Sequence, residues 1–190
     1  MAEIKLSTME PVASTRQSIW LGRGVSDPSN PFADDVVVTG GTITFRSKTV
    51  AVNGDDASPD TATSKMIFVG RLTKAYDAGT NFDVEVAGHC SRAPGTSSTV
   101  DVQVWKLDAN KQGSGSDLCT TAAQSNAETT ATTKVFSVNG SSLSPGDFIA
   151  IIVERAINDT GAAGGSVDAF AYLDGVTLLG TMSGEFGIFE

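Results

Sequence analysis

Histidine occurs once in the 190 residues, at His89, and Cys90 follows it directly. A nucleophilic Cys-His pair needs thiol and imidazole to face each other, whereas neighbours on a strand point to opposite faces, so this adjacency does not make one. The second thiol, Cys119, can approach His89 only through folding, and a hydrolase site around His89 and Cys119 is an expectation the fold must decide. No Gly-x-Ser-x-Gly elbow and no phosphate loop of Walker type is present, so no residue is assigned a catalytic role.

Carboxylates offer a second chemistry. Asp108-Ala109-Asn110-Lys111-Gln112-Gly113 imitates the first half of a calcium loop, but Cys119 stands where the closing bidentate Glu belongs, so the segment reads as a turn. Asp55, Asp56 and Asp60 read as a solvated acidic loop, and one His with two distant Cys makes no zinc pattern, so neither a metal nor another cofactor is expected. Asp83, Glu85 and Asp101 are expected on one outer sheet face, where a pair could flank a glycosidic bond, although strand alternation already accounts for their polarity.

Composition narrows the partners. The net charge of −9 gives no basic surface for nucleic acid. No apolar run approaches the roughly 20 residues of a membrane helix, and the first residues lack a leader pattern, so cytosolic synthesis is expected. In that compartment Cys90 and Cys119 are expected as free thiols, with pairing left open.

The elements that must position these residues are strands. With 20 glycines, 40% hydrophobic and 18% charged residues, the chain has the balance of a turn-rich all-β protein. The predicted fold is a two-sheet antiparallel jelly-roll sandwich of about eight strands, with an immunoglobulin-like sandwich as the alternative. An extended N-terminal arm (1–35), a sandwich domain (36–180) and a C-terminal tail (181–190) divide the chain. Pro145-Gly146 predicts a tight turn into the strand that starts at Phe148, where Ile149, Ile151 and Val153 share one face and Phe148, Ala150 and Ile152 the other. Met66, Phe68 and Leu72 oppose Ile67 and Val69 in the same way. Both strands are apolar on two sides and need cover. Residues 82–86 and 100–104 alternate as half-buried strands expected in one sheet, with Trp105 and Leu107 on the otherwise polar side. Residues 108–131 read as a long loop, and Asp174-Gly175 as a bulge in one closing strand rather than a hairpin.

Apolar surface is the strongest functional signal. Trp20 in the arm, Trp105, the outer residues Phe148 and Ile152, and Phe186, Ile188 and Phe189 in the tail all ask for a partner. The chain resembles the jelly-roll structural proteins of tailed bacteriophages in its acidic sandwich, its arm, its Ser/Thr/Gly-rich loops and the segments LSPGDFIAIIVER and AFAYLDGVTL. Within that group it is most similar to capsid cement or decoration proteins. The resemblance implies a non-enzymatic virion protein that forms homo-oligomers, commonly trimers, and clamps neighbouring major capsid protein subunits on the capsid surface. The alternative function is a carbohydrate-binding module or receptor-binding fibre tip that uses the 108–131 loop and Trp105.

Overall fold

The computed structural model describes residues 15–20, 24–39, 42–49, 60–72, 75–94, 96–159 and 169–182. Among them the strands run β1 (Thr15–Trp20), β2 (Val25–Ser26), β3 (Phe32–Thr39), β4 (Thr42–Thr49), β5 (Asp60–Arg71), β6 (Phe82–Cys90), β7 (Ser97–Leu107), β8 (Gly113–Ser114), β9 (Gln124–Ser125), β10 (Thr132–Val138), β11 (Phe148–Asp159) and β12 (Ala171–Met182). They form two antiparallel sheets. One has the order β10-β6-β12-β4-β3 with β1 also on β12, and the other β2-β5-β11-β7-β8 with β9 also on β7. The chain is an all-β two-sheet jelly-roll sandwich.

β11 sits at the centre of the second sheet because it can lose water on both edges and on one whole face. Ile149, Ile151, Val153 and Ile157 point inward and are fully buried, each worth roughly 1.5–3 kcal/mol of transfer free energy. Its turn is as expected: Gly146 takes a positive φ of 91°, and the backbone N–H of Asp147 donates to the Ser144 carbonyl. Across the interior, Val84, Val86, Phe136, Val176 and Leu178 supply the facing layer.

Pairing extends several strands beyond their local pattern. Asp60–Ser64 has the composition of a loop, yet it continues β5 because Arg155–Asp159 pairs with it residue for residue. The stretch read as an arm supplies β1 to the first sheet and β2 to the second. β12 is one strand whose register against β6 shifts between Leu173 and Gly175, which is the expected bulge at Asp174. Residues 108–131 are not structureless. They carry β8 and β9, and they dock on β7 and β10 through Leu118 N–H to Val104 O at 2.8 Å and a bridge from Cys119 to Val138.

One placement is corrected. The stretches 82–86 and 100–104 do not share a sheet: they are β6 and β7, on opposite layers of the sandwich. Their matching alternation follows from having one face on the common core, and periodicity alone does not say from which side.

Candidate binding face

The outer face of the β5-β11-β7 sheet is built by alternation. With Ile149, Ile151 and Val153 turned inward, Phe148, Ala150, Ile152 and Glu154 must point away from the core. The register then lays out rows: Arg71, Phe148 and Leu107; Val69, Ala150 and Trp105; Ile67, Ile152 and Gln103; Lys65, Glu154 and Asp101. Val25 on β2 continues the third row beside Ile67. Val25 and Val69 are 74% and 57% exposed, the most open large apolar side chains among the described residues.

The two ends of this face differ in charge. At the Phe148 end, the Lys111 ammonium lies 3.2 Å from the ring centroid and the Arg71 guanidinium 5.9 Å from it. At the other end, Lys65 pairs with Glu154 at 2.8 Å, and that hydrogen bond raises the Lys65 pKa. Burial pushes the Asp101 carboxyl above its usual range, helped by the nearby charges of Glu154 and Asp117. In the middle, Trp105 stands beside Ala150 and against Gly113, whose missing side chain would sit 3.6 Å from the indole.

Of the residues expected at a partner surface, Trp105, Phe148 and Ile152 lie together on this face. Trp20 belongs to β1, opposite Thr177 in the other sheet, and is not brought to it. Phe186, Ile188 and Phe189 fall outside the described residues. Val25, Ile67 and Val69 were not among the residues expected at a partner surface. The two-sided pattern of 66–72 carried the signal for Ile67 and Val69, while Val25 sits in a two-residue strand with no period to read.

The outer face of the other sheet carries the only histidine. His89 Nδ1 lies 2.7 Å from Asp174 Oδ2, its ring is 4.7 Å from that of Tyr172, and Phe170 continues the row at 6.3 Å. The bulge at Asp174 makes the first contact possible, by turning an additional side chain toward the outer face. No thiol joins it. Cys90 points into the core, and Cys119 bridges Val138, which is level with Phe82 at the far end of β6, about 23 Å along the strand from His89 at ~3.3 Å per residue. The hydrolase site around His89 and Cys119 is therefore not formed.

The carboxylate expectations resolve similarly. Asp83 and Glu85 lie on the outer face of one sheet and Asp101 on that of the other, so they do not flank a common cleft. Asp108 Oδ1 accepts the backbone N–H groups of Asn110 and Gln112, which makes the 108–113 segment the expected turn. Asp55 and Asp56 lie outside the described residues, and among the described residues no group of three or more His, Cys, Asp or Glu is placed to hold a metal.

No family model matches the chain and no curated protein does. Solved structures with a similar course of chain include the CBM22-1 xylan-binding domain of Paenibacillus barcinonensis Xyn10C, with TM-score 0.46 and 11% identity over 92% of this chain and 98% of that one. The xylan-binding module CBM15 gives 0.44 and 10% over 92% and 100%. The C-terminal CBM6 of LamC from Zobellia galactanivorans gives 0.42 and 12% over 86% and 98%. Likeness at this level assigns no ligand to this chain.

Proposed function

We propose that the chain is a non-catalytic, self-associating binding protein that engages its partners through the outer face of β5, β11 and β7. The observation that carries this is the open apolar centre of that face, where Val25 and Val69 stand exposed beside Ile67, Ile152 and Trp105. Branched aliphatic side chains gain little from a sugar and much from another protein surface. A protein of a larger assembly, such as a viral shell, is the setting the sequence style suggests. Val69→Glu leaves the core untouched, since the side chain is already solvent-facing. In light scattering at micromolar concentration the wild type is expected as an oligomer and Val69→Glu as a monomer. A wild type that stays monomeric up to 100 µM, roughly the range where weak specific pairs still form, sinks the proposal.

A second reading, carbohydrate recognition, has one specific observation in its favour. Ala150 and Gly113 leave the Trp105 indole flanked by little bulk, with Gln103 and Asp101 farther along the same strand for hydrogen bonds. Binding on a glycan array that disappears in Trp105→Ala, with Val69→Glu still binding, would favour this reading over the first.

A further inference from the structure

We infer that the partner on this face is a second copy of the same chain, stacked sheet on sheet with its strands reversed. The inference rests on the self-association proposed above and adds its geometry. The face is polar at both ends and apolar between, and the ends have opposite character. Arg71 and Lys111 surround Phe148 with two positive charges, whereas Asp101 and a Glu154 paired with Lys65 at 2.8 Å close the other end with one net negative charge. Of the neighbouring carboxylates at the basic end, Asp108 is turned into its own loop and Asp147 is paired with Lys106 at 2.7 Å. The six-residue step from Phe148 to Glu154 separates the two ends by about 20 Å.

Two faces can be laid together by a two-fold axis in the plane between them. If the axis runs along the strands, each end meets its own kind and Lys111 opposes Lys111. If it runs across the strands, near Ile151, the Phe148 end of one copy covers the Glu154 end of the other. Ala150 and Ile152 then exchange places over the centre, and Val69 meets Ile67. Both arrangements are isologous and close as dimers, but the first lays like ends together, whereas the second lays Lys111 over Glu154 and Leu107 over Asp101, a net attraction that outweighs the approach of Arg71 to Lys65. Ala150, the smallest residue in the central rows, lets the opposing Ile152 settle between Trp105 and Val69. The sheets would cross at about the 30° usual for aligned packing, which spreads each terminal contact over two strands.

The test is a charge exchange read as dimer dissociation constants by sedimentation equilibrium. Lys111→Glu and Glu154→Lys are both surface changes, and each alone is expected to weaken the dimer about tenfold or more, with the double variant returning to within about threefold of wild type. The wild-type dimer should also weaken as salt rises, because the paired ends lie at the rim. Dimers whose single variants weaken without rescue, or a trimer, overturn this arrangement while leaving self-association through the face standing. A monomeric wild type overturns both.

Discussion

Arg155 is the residue whose position departs most from ordinary expectation. Read locally, Glu154-Arg155 looks like the polar close of an apolar strand. The same alternation that turns Ile151 and Val153 inward carries Arg155 inward too, because β11 continues to Asp159. Its side chain is fully buried. Nη2 donates to the His89 and Asn126 carbonyl oxygens at 3.4 Å each, and among the described residues Nε and Nη1 have no hydrogen-bond partner and no carboxylate bonds the group. Burial pulls its pKa down against the raising influence of Cys90, Asp174 and Glu128. A desolvated charge with long contacts returns little of its solvation cost, and an apolar side chain of similar length does better. Arg155→Met is therefore expected to raise unfolding free energy by about 1 kcal/mol in urea titration, whereas Arg155→Ala, which leaves a cavity, lowers it. A loss of more than about 2 kcal/mol in Arg155→Met would show that the two carbonyl contacts outweigh the desolvation.

At the scale of elements, turns and strand types were legible and partners were not. Pro145-Gly146 and Asn139-Gly140 announce turns through backbone chemistry that acts within four residues, and the Asp174 bulge was readable because Asp-Gly interrupts an otherwise continuous apolar period. The pairing of Asp60–Ser64 with the end of β11, and the separation of β6 from β7, depend on contacts tens of residues apart that leave no local mark. The Asn139-Gly140 turn shows the limit well. The structure requires its glycine for space. A Cβ there would run into the Thr80 carbonyl oxygen and the Tyr76 hydroxyl, and Tyr76 itself donates to Thr80 O at 2.5 Å. The Gly140 N–H donates to Asn81 Oδ1, so the turn and the 76–81 loop hold each other. Gly140→Ala must move backbone, and a cost of about 2–4 kcal/mol by thermal or urea unfolding is expected. Ser141→Ala, one residue on and solvent-exposed, should stay within about 0.5 kcal/mol. Equal effects at the two positions would mean that the loop yields freely.

For the whole molecule, the sandwich order decides questions that composition left open, among them whether the thiols pair. Cys90 ends β6 inside the small cluster with Ile157, Ala169 and Ala171. Cys119 stands at the level where β6 begins, through Val138 and Phe82, so about 26 Å of strand at ~3.3 Å per residue lies between the two levels. A disulfide needs Cα atoms within about 7 Å, so none can form without unfolding a layer. Their reactivity should differ for the same reason. Cys119 is half-buried at the edge of the main core, its thiol pKa is raised chiefly by burial, and its Sγ donates to the Thr121 carbonyl on its own loop, so opening that loop exposes it. Cys90 is 1% exposed between the two sheets and is reached only when they part. Labelling with an aromatic disulfide reagent is thus expected in two phases. Cys119 should react first, at a rate nearly independent of low urea and rising with pH as its thiolate forms. Cys90 should follow at least about a hundredfold more slowly, with a urea dependence matching that of global unfolding. A single phase, or an intramolecular disulfide after mild oxidation of the folded chain, would mean that these ends of the sandwich open independently of its core.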